Sequence, residues 1–173
     1  MEMTRNINNA SKDIILTPIT KDHMTKTYEW ISDPGFRKAF MVRGENSWER
    51  HVDYFDYLLR DDTQKGYAIF LGELHVGNCG FKYINNTEKS AELWIYIGSV
   101  DVRGVGLGRH ALGMLLKNGT NSFGLTSVYV HVAESNESAK SLYKSHGFFE
   151  HGTCAEEWEG RDNNMLKMLW SAQ

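Results

Sequence analysis

Three glycines at alternate positions interrupt the chain in segment 102–110, which reads VRGVGLGRH. The stretch Ser90–Gly98 before them alternates like a strand, and Leu107–Ser122 after them has the apolar spacing of a helix. Such a strand-to-helix turn lets backbone N–H groups converge at the positive end of the helix dipole. The segment therefore predicts a phosphate or pyrophosphate site, with charge from Arg103 and Arg109. The alternative is a plain glycine-rich turn.

Two common nucleotide-binding motifs do not fit this segment. A P-loop ends in Gly-Lys-Ser/Thr, whereas here His110 follows the last glycine and its arginine. The dinucleotide fingerprint G-x-G-x-x-G has a different glycine spacing, and it belongs to a βαβ unit, whereas a run of strands precedes this loop. We therefore expect a phosphate ligand held in another way.

The rest of the chain has the pattern of one α+β domain with a mixed sheet. Its 173 residues are 41% hydrophobic and 24% charged, which suits a single full core. We expect a flexible lead at 1–11 and a domain at 12–171, with six or seven mostly antiparallel strands and about four helices. The expected strands are 13–18, 67–71, 76–84, 90–98, 126–133, 148–152 and 165–170, and the expected helices are 20–32, 47–59, 107–122 and 136–146.

Charge and composition argue against several classes of function. A net charge of −3 does not suit a nucleic-acid binder, which needs a basic face. No apolar run approaches the roughly 18–20 residues that span a bilayer, and the polar start lacks a signal-peptide core. Cys79 and Cys154 need no disulfide role, and the histidines show no metal-ligand spacing. We expect a cytoplasmic protein without a metal, a nucleic-acid partner or a membrane partner.

A second motif follows in segment 135–148, SNESAKSLYKSHGF. Arg103, Gly106 and Gly108 match R/Q-x-x-G-x-G/A, and the second segment matches N-x-x-A/S-x-x-L-Y-x-x-x-G-F. Together with the order of the elements, these motifs resemble the GNAT superfamily of acetyl-CoA-dependent N-acetyltransferases over nearly the whole chain. The matching positions of the second motif are Asn136, Ala139, Leu142, Tyr143, Gly147 and Phe148.

The resemblance implies a sheet splayed between its fourth and fifth strands, with acetyl-CoA as cosubstrate. It implies that amides of the glycine loop hold the pyrophosphate, while the strand end before the loop and Asn136 contact the pantetheine arm. Many relatives have Lys or Arg where Val105 stands, so binding should depend more on the amides. The implied cofactor-binding residues are Ile95, Ile97, Gly98, Arg103, Gly104, Val105, Gly106, Leu107, Gly108, Arg109, Asn136, Ser138 and Tyr143.

Acetyl transfer to an amine requires a neutral amine, donors to the oxyanion and a proton for the thiolate. The resemblance implies that Tyr143 supplies that proton; the alternative is a tyrosine that only packs. Glu92 shares a strand face with Trp94 and Tyr96, opposite an apolar face, and is the expected general base. Its alternative is an exposed or ion-paired carboxylate.

The first third of the chain resembles the GNAT branch that acetylates amines on nucleotide-linked deoxysugars. The turn after Trp30 and the helix containing His51 carry that likeness, and arginines bind diphosphates well. The expected acceptor-binding residues are Trp30, Arg37, Arg43, His51 and Glu92.

Other acceptors and another class of function stay open. Residues 150–168 resemble spermidine and ribosomal-protein acetyltransferases, and the acidic run 156–159, expected in a loop, would suit a cation. A catalytically silent module that binds CoA or a partner protein is the alternative outside the enzymes, and a homodimer is an open expectation.

Overall fold

The computed structural model describes residues 13–40, 42–158 and 161–172, with backbone alone at 154–158 and 161–163. The expected lead at 1–11 lies outside these residues. One seven-stranded sheet runs through them in the order β1-β2-β3-β4-β5-β7-β6. The elements are β1 (Ile14–Pro18), α1 (Met24–Ser32), α2 (Pro34–Ala39), α3 (Trp48–Arg60), β2 (Lys65–Leu71), β3 (Leu74–Asn85), β4 (Ser90–Ile97), α4 (Leu107–Phe123), β5 (Ser127–Ala133), α5 (Glu137–Lys144), β6 (Phe149–Trp158) and β7 (Arg161–Ser171).

The sheet is mixed, and it opens between its fourth and fifth strands. Strands β1 to β4 form an antiparallel meander, β5 pairs antiparallel with β7, and β4 pairs with β5 in parallel. That parallel pairing runs only from Ser90 opposite Ser127 to Glu92 opposite Tyr129. Beyond it β4 continues to Ile97, while β5 stays paired with β7 to Ala133. The expected α+β fold and its splay are therefore confirmed.

Helix α4 covers one face of this sheet and forms the main core. Its buried side chains repeat at helical spacing and meet the alternate valines of β5 and the apolar face of β4. Leu93, Ile95 and Ile97 of β4 belong to this cluster, whereas Trp94 and Tyr96 face α1 and α2 on the other side. The sheet thus separates an apolar core from an aromatic, partly polar face. The buried residues of α4 are Leu107, Ala111, Leu112, Leu115, Leu116 and Gly119.

The described residues contain five α-helices, one more than the sequence pattern predicts. We expected Asp33-Pro34-Gly35 to end a helix, and α1 does end at Ser32. Asp33 then caps a second helix, because its carboxylate accepts a hydrogen bond from the Phe36 N–H at 2.7 Å. Proline at the first position of α2 is already set to a helical φ, so the same residues stop one helix and start the next.

One helix face and one loop differ from what the sequence pattern predicts. The helical spacing of Trp48, Val52, Phe55 and Leu59 predicts a single buried face for α3, but the buried side chains are His51, Phe55 and Leu58. The acidic residues 156 and 157 lie in β6, which reaches residue 158, and not in a loop. Residue 159 lies outside the described residues.

Candidate active site

The glycine loop presents a row of backbone N–H groups to one side. Gly104 and Gly106 have φ values of +77° and +88°, in the left-handed region that favours glycine. In the part of the chain that the structure describes, none of the six N–H groups from Gly104 to Arg109 donates to a protein acceptor. Four of these groups belong to the cap and first turn of α4, where the helix dipole is positive. We call these six groups the amide row.

Arg103 binds the protein itself and not the open side of the loop. Its Nε donates to the Ile97 carbonyl at 2.9 Å, and its Nη2 donates to the Gly98 carbonyl at 3.1 Å. The guanidinium therefore ties the end of β4 to the start of the loop. The predicted contribution of charge then falls to Arg109, whose side chain is exposed next to the amide row.

Beyond Glu92, β4 has an edge that is not covered by any strand of the described residues. The Gly98 N–H donates to the Val76 carbonyl at 2.9 Å, which fixes which residues of β4 bond to β3. Because such bonding alternates along an antiparallel pair, the N–H and C=O groups of Ile95 and Ile97 point away from β3. The Gly98 N–H is bonded to Val76, and its carbonyl and that of Ile97 accept from Arg103. The N–H and C=O groups of Ile95 and the N–H group of Ile97 form what we call the open edge.

Helix α5 begins beside the splay with residues of the second motif. The Asn136 side-chain oxygen caps this helix by accepting from the Ala139 N–H at 3.0 Å. Its amide nitrogen makes no hydrogen bond to the described residues and can still donate to a ligand. Ser138 is exposed in the first turn of the helix.

Tyr143 lies in the core with its ring against Phe148, and the two ring centroids are 5.4 Å apart. Burial raises the pKa of the phenol above its ordinary value, so the hydroxyl keeps its proton at any physiological pH. The hydroxyl has no hydrogen-bond partner among the described residues, unlike a tyrosine whose hydroxyl is tied to backbone. It remains available as a donor.

Glu92 is nearly buried, at 8% exposure, and it is ion-paired. Its Oε1 atom lies 3.2 Å from Lys82 Nζ and 3.2 Å from His131 Nδ1. The carboxylate therefore stands at the point where β4 and β5 separate, held by one group from β3 and one from β5. This is the ion-paired alternative for Glu92 that the sequence left open.

Arg37 is engaged with the turn that follows its own helix. Its guanidinium donates to three backbone carbonyls, those of Ile31, Val42 and Gly44. The expectation that Arg37 meets a diphosphate is not supported by this arrangement, because its donors fold the segment between α2 and α3. Arg43 lies exposed within that segment.

His51 is buried, and its ring packs between Tyr28, Trp48 and Phe55. Its Nε2–H donates to the Met24 carbonyl at 2.9 Å, while the buried Nδ1 has no hydrogen-bond partner within the described ranges. Burial lowers the pKa of His51, and the bond to the carbonyl opposes that effect only in part. A buried, neutral imidazole is a helix-packing residue and is not presented to a diphosphate.

Trp30 does lie beside the site. Its indole packs against Gly98 at the end of β4 and near Tyr96, with ring centroids 6.2 Å apart. Beneath these rings the fully buried Asn78 donates to Thr27 Oγ1 at 2.9 Å and to the Tyr96 hydroxyl at 2.7 Å. The face of β4 that carries Trp94 and Tyr96 is therefore an aromatic surface on a hydrogen-bonded base.

Sequence reasoning missed two contributors to this region. Asn78 carries no motif, and only its burial in the middle of β3 reveals its part in the network. The alternation of β5 predicts His131 only as a half-exposed structural residue, and its contact with Glu92 joins residues that are 39 positions apart in the chain. The available signal was its place on the polar face of a valine-rich strand that neighbours β4.

Among the described residues, no group of three or more His, Cys, Asp or Glu residues has the arrangement of a metal site.

Comparisons with known proteins agree with this geometry. Residues 13–149 match the family described as Acetyltransferase (GNAT) domain. The chain is 26% identical, over 96% of its length, to an uncharacterised protein of Methanocaldococcus jannaschii, and it spans only 34% of that protein. It is 20% identical to the spermidine N(1)-acetyltransferase of Escherichia coli strain K12, over 92% of this chain and 86% of that one.

Among solved structures, a spermidine N-acetyltransferase of Vibrio cholerae in complex with CoA and spermine has the same fold. The TM-score is 0.85 at 20% identity, and the match covers 92% of this chain and 96% of that one.

Within the described residues, no helix is both long and apolar enough to cross a membrane.

Proposed function

Because the chain belongs to the acetyltransferase (GNAT) domain family, we propose that it transfers the acetyl group of acetyl-CoA to a primary amine of a small molecule. The observation that carries the proposal is the amide row directly after the open edge of β4. Six N–H groups without protein acceptors, at a helix N-terminus, suit a pyrophosphate. A strand edge with free N–H and C=O groups suits the amides of a pantetheine arm.

Different residues around the splay would bind different parts of acetyl-CoA. The amide row and Arg109 would hold the pyrophosphate, and the open edge at Ile95 and Ile97 would pair with the pantetheine amides. The free amide nitrogen of Asn136 would donate to the arm from the side of α5. Arg103 supports both parts, because it links the carbonyls of Ile97 and Gly98, at the end of β4, to the start of the loop.

Tyr143 would protonate the departing thiolate. Its burial keeps the hydroxyl protonated, and its unpaired O–H can be directed at a sulfur atom in the splay. When the amine attacks the thioester carbonyl, the new C–N bond forms as the C–S bond breaks. A proton donor at the sulfur lowers the barrier to breaking the C–S bond.

For the acceptor, we propose a cationic linear amine of the polyamine class. Two relatives carry spermidine in their names, and the acceptor side offers groups that attract an ammonium: the Glu92 carboxylate and the aromatic faces of Trp94 and Tyr96. The sugar-nucleotide expectation loses support, because Arg37 and His51 are engaged inside the protein.

A panel of acceptors tests this proposal. Wild-type protein is mixed with acetyl-CoA and with spermidine, a nucleotide-linked amino sugar or a peptide with a free N-terminus. Free thiol and the mass of the acceptor are measured. We expect thiol release matched by acetylated spermidine. Turnover with the amino sugar alone would overturn the polyamine assignment, and CoA binding without turnover on any amine would favour the catalytically silent module.

A further inference from the structure

We propose that His131 is the general base of the transfer, taking a proton from the acceptor ammonium at its Nε2 atom, while Glu92 positions the ring. The inference rests on the proposed function. The sequence pattern predicts the Glu92 carboxylate as the general base, whereas this inference assigns that role to the imidazole beside it.

The hydrogen bond between these residues fixes the tautomer of the imidazole. His131 Nδ1 lies 3.2 Å from Glu92 Oε1, and an ionised carboxylate can only accept, so the proton of a neutral ring is on Nδ1. The lone pair is then on Nε2. In the part of the chain that is described, Nε2 has no hydrogen-bond partner, and the His131 side chain keeps 26% of its exposure. The basic nitrogen therefore has a free lone pair on a partly exposed side chain.

The place of His131 in the sheet puts that nitrogen at the mouth of the splay. Glu92 is the last residue of β4 that pairs with β5, and it stands opposite Tyr129. His131 is two residues beyond Tyr129, so it lies on the same face of the sheet, where the strands have already separated. Along β4 that face continues to Trp94, next to the open edge. An acceptor that reaches the open edge from this face passes the imidazole.

Glu92 itself is less suited to accept the proton. Its Oε1 atom is already ion-paired with Lys82 and accepts a hydrogen bond from His131, and the residue is nearly buried. Protonating the carboxylate would disrupt two charge-assisted contacts, whereas the Nε2 lone pair has no competing partner among the described residues. Imidazole is also the side chain that can both accept and release a proton near neutral pH. The titratable or charged groups that surround His131 are Lys82, Glu92, Tyr129 and Lys167.

The proton steps balance without a further reagent. One N–H bond of the ammonium breaks, an Nε2–H bond forms, and the freed lone pair attacks the thioester carbonyl carbon. As the C–S bond breaks, the thiolate takes the Tyr143 proton, and the second proton released by the amide nitrogen restores the phenol. Glu92 stabilises the resulting imidazolium through Nδ1, as carboxylates do for catalytic histidines. Because the side chain is partly exposed, the imidazolium then returns its proton to water.

The test compares His131→Gln with wild type across pH, using acetyl-CoA and spermidine or whichever panel amine is acetylated. Loss of a general base costs about 10²–10⁴ in rate, so we expect kcat/KM to fall by at least roughly 100-fold. The acid limb of the pH profile should also disappear. Added imidazole should partly restore the activity of His131→Ala. His151→Gln, at an exposed histidine in β6, is the matched control and should keep the wild-type profile.

Two more variants separate a base from a structural histidine. Glu92→Gln removes a negative charge beside the ring, so the midpoint of the acid limb should move to lower pH. Lys82→Met removes a positive charge and should move it to higher pH. A wild-type profile in His131→Gln, or no movement in either neighbour variant, would overturn the assignment of His131. Absence of turnover in the wild type on every amine would instead overturn the proposed function, and with it this inference.

Discussion

The indole of Trp30 lies so close to Gly98 that a Cβ at position 98 would be 2.0 Å from Trp30 Cδ2. Trp30 belongs to α1, and Gly98 directly follows the strand that carries the open edge. The Gly98 carbonyl in turn accepts from Arg103 at the start of the glycine loop. Gly98 therefore links α1 to the glycine loop, and its contact with the indole requires a residue without a side chain at position 98.

Gly98→Ala should weaken both the fold and the affinity for acetyl-CoA. The indole must move, and overpacking of this kind typically costs about 1–3 kcal/mol. Urea unfolding measures the first effect and calorimetric titration the second. Gly152→Ala is the control, because a Cβ there meets nothing within 4 Å. In a Trp30→Ala background the cost of Gly98→Ala should largely vanish; equal costs in both backgrounds would contradict the steric account.

Tyr143→Phe should lower turnover by about 10²–10⁴ and leave acetyl-CoA affinity nearly unchanged, because only the donated proton is lost. Burial raises the pKa of Tyr143, so the wild-type rate should show no alkaline limb from this group below about pH 10. Steady-state kinetics and titration measure the two quantities. Tyr83→Phe, at an exposed tyrosine, is the control. Near-normal turnover in Tyr143→Phe would assign Tyr143 to packing alone.

Arg37→Ala should act through the fold and not through recognition of an anionic acceptor. It removes donors to the Ile31, Val42 and Gly44 carbonyls, so the thermal midpoint should fall and KM should rise alike for cationic and anionic acceptors. Lys38→Ala, at the exposed neighbour, should change neither quantity. A KM increase confined to a sugar nucleotide would restore the role that the sequence predicts for Arg37.

Stability should fall as the pH drops below about 6.5. Burial lowers the pKa of His23, His51 and His75, so the folded chain binds fewer protons than the unfolded chain in this window. The three histidines make their full contribution to the free energy of unfolding above their unfolded pKa of about 6.5. That contribution is lost as the pH falls through their folded pKa values. The lowered pKa values of Asp56 and Glu150, held by Lys21 and Lys144, reduce stability only as the pH falls below about 5.

Urea unfolding at about pH 7.5 and about pH 5.5 measures this dependence. His51→Phe removes one titrating group from an aromatic pocket and should flatten the dependence, whereas the exposed His151→Gln should not. Equal stability of the wild type at both pH values would contradict the assignment to buried histidines.

Periodicity and turn residues predicted where the strands and four of the helices lie along the chain. The alternation at β5 and the leucine spacing of α4 are local signals that a sequence shows directly. The same reasoning failed where one residue has two uses. Asp33 and Pro34 were interpreted as a stop, although an Asp before a Pro is also a helix start. In α3 the apolar residues suggested one face, but the structure buries His51 and exposes Trp48 in part, because His51 donates to a carbonyl of α1.

The loop of the candidate site was visible in the sequence because glycine spacing limits backbone geometry directly. The partners of its charged residues were not. Arg103, Arg37 and Glu92 all carry charge that suggests a ligand, yet each is held by groups from other elements. Such pairings depend on how the elements pack, and no local pattern encodes them. The contact between Glu92 and His131 is of this kind, since it exists only after β4 and β5 align.

The amide row is the centre of the proposed site, and the affinity of Gly106→Ala for acetyl-CoA tests it most directly. Gly106 has φ of +88°, which an L side chain adopts with strain, so the row should lose its alignment. Gly124→Ala is the matched control, because Gly124 has φ of +61° at the other end of the same helix and a Cβ there also meets nothing within 4 Å. Calorimetric titration should show affinity at least tenfold weaker in Gly106→Ala, about 1.4 kcal/mol, and unchanged in Gly124→Ala. Wild-type affinity in a folded Gly106→Ala variant would contradict the assignment of the amide row to the cofactor.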